Sequence, residues 1–149
     1  MRAVVQRVSN ARVRVDGQAI AQIGPGLLAL LSVGADDEER DARSMAEKLA
    51  ELRIFPDELG LMNRSLREIG GALLLVSQFT LHGDVRRGRR PSFVTAAKEP
   101  KSRELYELVG TLIAGSGLPV AYGQFGAQME IELVNSGPVT ILIDTKRRF

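Results

Sequence analysis

Asn135-Ser136-Gly137-Pro138-Val139-Thr140 decides how the last third of this 149-residue chain is read. Before it, Met129, Ile131 and Leu133 alternate with Glu130 and Glu132, the period of a half-buried strand. After it, residues 139–143 are an apolar, largely β-branched run suited to a last strand. Between the two stands a proline, which brings no N–H to a ladder and fixes its own φ, so the chain must turn or bulge there. The spacing predicts two strands with Gly137-Pro138 between them. A Gly-Pro bond is open to the cis isomer, because a tertiary amide lowers the trans preference to about 0.5–1 kcal/mol. In either isomer the Gly137 and Pro138 carbonyls are outward-aimed acceptors, suited to recognising a small ligand through main chain alone.

Outward from that run the chain alternates short strands with two helices. Residues 1–8 and 11–15 read as strands, and Asp16-Gly17 is a turn pair joining the second to residues 18–23. Gly24-Pro25-Gly26 breaks the chain before the apolar run 27–33. Asp36, Asp37, Glu38 and Glu39 complement a helix N-terminus, and Ala42, Met45, Ala46, Leu49 and Leu52 recur at helical spacing, so a helix is predicted over about 38–52. Residues 54–71 read as loop, and 72–81 as a strongly apolar strand. A basic loop follows, His82-Gly83-Asp84-Val85-Arg86-Arg87-Gly88-Arg89-Arg90-Pro91. Leu105, Leu108, Val109, Leu112 and Ile113 signal a second helix closed by Gly115-Ser116-Gly117. Gly110 inside it costs about 1 kcal/mol relative to alanine, so packing must support it.

No repeat, low-complexity segment or linker interrupts the pattern, so residues 1–149 read as one domain. The expected architecture is mixed α/β, with mostly antiparallel, barrel-like sheet layers and two main helices packed on one side. Many strands in few residues leave edges to protect, and pairing with a second copy is a natural remedy.

Composition bounds the function. A chain of this length buries roughly two-thirds of its unfolded surface. Twenty Lys and Arg against 18 Asp and Glu leave only +2, so no global field demands nucleic acid, although local basic clusters remain. The absence of cysteine removes disulfides and thiolate sites and fits a reducing compartment. The apolar runs are too short to span a bilayer and the N-terminus lacks a signal-peptide core, so the expected location is the cytoplasm, with no membrane partner.

Few residues are equipped for chemistry. One histidine and no cysteine exclude a multi-histidine metal site, and no carboxylate cluster has ligand spacing, so neither metal nor cofactor is expected. Glu130 and Glu132 read as a solvated strand face. Gly24-Pro25-Gly26 lacks the following helix of a phosphate-binding loop and reads as a turn. Ser77-Gln78-Phe79-Thr80-Leu81-His82-Gly83-Asp84 remains. Strand alternation would put Gln78, Thr80 and His82 on one face, so a Thr80 nucleophile with His82 as base and Asp84 as orienter can be drawn. Three such residues within eight also occur by chance, and triads are defined by geometry.

Several segments, taken in order, resemble one family. Ser77-Gln78-Phe79-Thr80-Leu81, Arg90-Pro91-Ser92-Phe93, Gly123-Gln124-Phe125-Gly126-Ala127-Gln128-Met129 and the Asn135 to Thr140 run are similar to the D-aminoacyl-tRNA deacylases, the D-tyrosyl-tRNA deacylase family. The likeness extends from the Met-Arg-Ala-Val-Val-Gln-Arg-Val start onward. It implies a cytoplasmic homodimer that hydrolyses the ester between a D-amino acid and the terminal adenosine of tRNA, and that also accepts glycine mischarged on alanine tRNA. It implies a cross-subunit site in which a cis Gly137-Pro138 excludes L side chains, a fixed clash rather than an added attraction. The substrate's own 2′-hydroxyl would be the main catalytic group, with the protein supplying position and main-chain hydrogen bonds. Ser77, Gln78, Phe79 and Thr80 would surround the ester, Thr80 nearest the chemistry. Phe125 and Met129 would hold the adenine or, on a simpler reading, pack the core. Arg7 would fix the Gly-Pro from beneath, or serve as a surface ion-pair partner. Ser136 stands where the family commonly has aspartate, which removes a charge beside the turn.

Two other classes compete: a Thr/Ser hydrolase of small esters or amides resting on Thr80 and His82, and a noncatalytic RNA-binding module resting on the basic loop. The loop follows the proposed site directly and could meet acceptor-stem phosphates, whereas the tail Lys146-Arg147-Arg148 reads as a mobile end. DNA is not an expected partner.

Overall fold

The computed structural model describes residues 1–148. Its elements are β1 (Arg2–Val15), β2 (Gln18–Ile23), β3 (Gly26–Ser32), α1 (Glu39–Glu51), β4 (Phe55–Pro56), β5 (Met62–Arg64), β6 (Ala72–Ser77), a 3-10 turn (Phe79–His82), α2 (Lys101–Gly115), β7 (Val120–Tyr122) and β8 (Glu130–Asp144). The architecture is the expected mixed α/β one. β1 pairs antiparallel with β2, β3 and β8, whereas β3–β6 and β6–β7 are parallel. β2 also lies against β6 and β7, so the sheet curls towards a barrel.

β1 is the spine. Its first half pairs with β3, from Arg2↔Ser32 to Val8↔Gly26, and its second half with β2, from Ala11↔Ile23 to Val15↔Gln18. Its other edge is covered by β8 along nearly its whole length. Both β1 and β8 are single strands where the sequence pattern predicts two each. The breaks in alternation are bulges, facing one another across the ladder: Gln6 pairs with Thr140 and Val8 with Asn135, so β8 carries three residues more than its partner there. The irregularity transfers the strands between two cores. Met1, Ala3, Val5 and Ile143 face the helices, with Val139 and Ile141 packed beside them, while Val8, Ala11 and Val13 face the inside of the curl with Leu28, Leu74 and Val76.

Helix α1 begins at its expected place because Glu38 and Asp41 form a capping box, each side chain accepting the other's backbone N–H. Gly110 in α2 is explained by packing: a Cβ there would lie 2.4 Å from the Tyr122 ring. Gly26 has a harder constraint, since a Cβ would stand 1.9 Å from the Ala72 carbonyl oxygen on the neighbouring strand. The loop expected over 54–71 contains the small β4–β5 hairpin.

The chain ends meet in a buried polar cluster. The Met1 ammonium donates to Asp37 Oδ1 at 2.7 Å and to Thr145 Oγ1 at 2.5 Å, and the Gly34 amide donates to Asp37 Oδ2 at 2.6 Å. Lys146 Nζ and Thr145 Oγ1 each donate to Asp41 at 2.8 Å, and Arg148 pairs with Asp36. Two of the three tail cations expected to be mobile, Lys146 and Arg148, are therefore held by acidic residues before and within α1. Burial disfavours the Asp41 carboxylate, but bonds from Lys146, the Glu38 amide and Thr145 outweigh it and bring its pKa down to about 2. A depressed carboxylate stabilises the fold above its unfolded pKa and loses that contribution as pH falls through the folded one. The stability gap between wild type and Asp41→Asn should therefore be full at pH 5 and close between about pH 4 and pH 2, as thermal melts across that range would reveal.

Candidate active site

A cavity of about 430 Å³ opens at the C-terminal ends of the parallel strands β3 and β6, within the size range of small-molecule sites. Leu31, Ser32 and Val33 form its floor, and Ser77, Gln78 and Phe79 one wall. Phe125, Ala127, Met129 and Ile131 also line it, together with Glu99, Ser102 and the buried Tyr106. Five of the residues singled out in the sequence thus meet around one space: Ser77, Gln78, Phe79, Phe125 and Met129.

Local chemistry explains the Ser77 wall. β6 ends at Ser77, four residues before the apolar run does: the Gln78 amide makes the last bond to β3, donating to the Leu31 carbonyl at 2.7 Å, and the chain then turns, with the Leu81 amide donating to the Gln78 carbonyl at 3.2 Å. The expected strand over 72–81 is corrected here: a short apolar run reads the same in a strand and in a buried turn. The turn is pinned to β3 by Ser32, whose Oγ lies 2.6 Å from His82 Nδ1 and donates to the Phe79 carbonyl at 3.4 Å. The first N–H groups of such a turn have no partner inside it and remain available.

The drawn triad is not assembled. His82 is buried against Ser32, Asp84 pairs with Arg86, and the Thr80 hydroxyl is 2.5 Å from Gln78 Nε2. Burial, followed by the nearby Arg2 charge, lowers the His82 pKa, so its ring is neutral at pH 7. His82 acts as a prop beneath the turn. Thr80 itself is exposed and stands beyond the cavity wall.

Phe125 and Met129 each pack at the edge of a core and also line the cavity. Phe125 is held by Tyr106, with ring centroids 5.5 Å apart, and by the Arg103 guanidinium 4.6 Å from its centroid. Tyr106 donates to the Leu75 carbonyl at 2.8 Å, and burial raises its pKa well above the usual tyrosine value. It is a structural hydroxyl at neutral pH.

Gly137 and Pro138 lie elsewhere. Their peptide bond is cis, and both residues are exposed at the crest of the β8 bulge. Arg7 supports the loop from the sheet, Nε donating to the Ser136 carbonyl at 3.0 Å and Nη1 to the Ile54 carbonyl at 2.6 Å. Asn135, which the sequence reading did not single out, bridges the loop base by accepting from the Val139 amide at 2.9 Å and donating to Gln6 and Thr140. Arg7 is paired with Leu27 at the start of β3, whereas the cavity floor is at its end. Five residues of strand, roughly 16 Å at about 3.3 Å each, separate the loop from the cavity of its own chain.

Glu99, Ser102 and Tyr106 were also missed as cavity residues. They belong to a polar helix start without a motif, and only the folding of α2 against β6 brings them to the site.

The sequence profile of the D-Tyr-tRNA(Tyr) deacylases matches residues 4–144. The D-aminoacyl-tRNA deacylases of Symbiobacterium thermophilum and Anaeromyxobacter dehalogenans are each 56% identical over 149 residues, covering 100% of this chain and 99% and 100% of theirs. A solved structure described as c-Myc DNA Unwinding Element Binding Protein superposes with a TM-score of 0.92 at 35% identity, covering 97% of this chain and 99% of that one. These matches define a hydrolase that acts on ester bonds. The chain belongs to the D-Tyr-tRNA(Tyr) deacylase family.

Proposed function

We propose that this protein is a cytoplasmic chiral proofreading esterase that releases D-amino acids, and glycine from alanine tRNA, by hydrolysing their ester to the terminal adenosine. The observation that carries this reading is the separation of its two halves. A pocket built from Ser77, Gln78, Phe79, Phe125 and Met129 sits at one end of the sheet, and an exposed Gly137-Pro138 crest at the other. A crest too distant to serve its own pocket is suited to serve that of a second copy. The outer edge of β8 supports such a dimer, with Val134 and Leu142 more than half exposed along a strand that pairs with β1 alone among the described residues.

In this scheme the terminal adenosine is held against Phe125 and Met129, and the ester lies along the Ser77 to Thr80 turn. The 2′-hydroxyl of the substrate assists the attack, while main-chain N–H groups stabilise the developing oxyanion. The partner's Gly137 and Pro138 carbonyls occupy the space an L side chain would need.

The test offers one amino acid in both configurations on the same tRNA, with the D ester cleaved and the L ester spared. Gly137→Ala would put a Cβ 2.7 Å from Arg7 Nη2 and 2.8 Å from Val139 Cγ2, displacing the crest. Discrimination should then fall by about tenfold or more, equivalent to at least about 1.4 kcal/mol. Mixing this variant with excess Ala127→Trp, whose own cavity is filled, should restore L rejection in trans. Undiminished L cleavage in the mixture would sink the cross-copy arrangement.

A further inference from the structure

The basic loop has no role in the scheme above, yet it is built rather than loose. Its base is closed by reciprocal main-chain bonds between Asp84 and Ser92 of 2.8 and 2.9 Å. One arm is fixed by Asp84, which accepts from the Arg86 guanidinium at 2.6 Å and from the Arg86 amide at 3.0 Å. Phe93, just past the base, packs edge-on against Phe79 with centroids 5.1 Å apart. Both stems run directly into the cavity wall, through Phe79 on one side and Ala97 and Glu99 on the other.

Charge is concentrated there. Residues 84–91 carry four arginines and one aspartate, a local +3 in a chain whose total is +2, so the rest of the protein is slightly negative. Among the described residues only Arg86 of the four has a carboxylate partner within 4 Å. Arg87, Arg89 and Arg90 are exposed and have no carboxylate partner among the described residues, on a loop whose flanking residues Phe79 and Ala97 line the cavity.

We infer that Arg87, Arg89 and Arg90 form a phosphate clamp that grips the sugar-phosphate backbone of the single-stranded RNA end leading into the cavity. The inference rests on the reading that an aminoacylated RNA terminus occupies that cavity. Guanidinium groups suit the task because they pair bidentately with phosphate, and such contacts position a strand without reading its sequence. One face of the terminal nucleotide would meet Phe125 while the preceding phosphates meet the loop.

The experiment titrates uncharged tRNA against the protein over a series of KCl concentrations. Each phosphate neutralised on a single strand contributes about 0.7 to the slope of log K against log salt. The triple variant Arg87→Gln, Arg89→Gln, Arg90→Gln should show a slope shallower by about 2 and bind at least tenfold more weakly at low salt. The corresponding triple lysine variant should keep most of the slope, and both should melt at the wild-type temperature. Equal slopes for wild type and the glutamine variant overturn the clamp, as does tighter binding of duplex DNA than of tRNA. A wild type that binds tRNA with the expected slope but cleaves no D-aminoacyl ester would retire the deacylase reading and leave the clamp standing.

Discussion

Asparagine in place of Asp37 is expected to remove roughly 3–5 kcal/mol of folding stability, more than any surface substitution. The Met1 ammonium and the Asp37 carboxylate are 0% and 1% exposed and 2.7 Å apart, so each is the other's main compensation for leaving water. Asparagine keeps the shape and can still accept from the Gly34 amide, but it leaves a buried ammonium facing a neutral group. Lys146, 3.9 Å from the same oxygen, then adds a second positive charge without the carboxylate to offset it. At about 2–4 °C per kcal/mol for a domain of this size, the melting temperature should fall by about 6–20 °C. The exposed Glu39–Arg43 pair on α1 provides the contrast. Removing it should cost under about 1 kcal/mol, because water already solvates both groups. A shift for Asp37→Asn as small as that one would show that the chain-end cluster does not hold the fold.

The second large effect belongs to the substrate. A D-aminoacyl-tRNA whose terminal ribose lacks the 2′-hydroxyl should be cleaved about 10²–10⁴ times more slowly, the range associated with losing a positioned proton-transfer group. Thr80→Ala, by contrast, should cost less than about tenfold. The reason lies in the partners already assigned. The Thr80 hydroxyl is engaged by Gln78, His82 is buried against Ser32, and Tyr106 donates to Leu75. Among the described residues no side-chain base is paired with the Thr80 hydroxyl, and the proposed mechanism therefore assigns the protein's contribution to main chain and cavity shape. Single-turnover rates on the two substrates and the one variant decide the matter. If Thr80→Ala were inactive and the deoxy substrate were cleaved normally, the mechanism would be that of a threonine nucleophile.

Much of the fold could be read from local pattern where local pattern governs. Ala42, Met45, Ala46 and Leu49 give α1 its buried stripe, and its ends fall within a residue of expectation because Glu38 and Asp41 cap it. The Asp16-Gly17 turn was equally legible, since both residues adopt the positive φ that this dipeptide favours. Long-range pairing was not. Splitting β1 after Val8 and β8 at Ser136 was reasonable from alternation, because a bulge and a strand end look alike until the partner strand is known. β7 is three residues long, too short for any periodicity. The cavity followed the same rule: Ser77, Gln78 and Phe79 carried a recognisable segment, whereas Glu99 and Ser102 reach the site only through the docking of α2.

The pairing of β1 with β8 also constrains when the protein can fold. Arg2 faces Asp144 across the ladder, and Ala3 faces Ile143. While a ribosome is still synthesising residues 130–144, one whole edge of the central strand stays open, and the Met1 ammonium lacks Thr145. The nascent chain therefore carries an unpaired β1 edge through almost the whole of its translation. Such long-range closure is slow and leaves unpaired strands exposed to neighbours, so production in crowded cells should benefit from chaperones that shield that edge until β8 emerges.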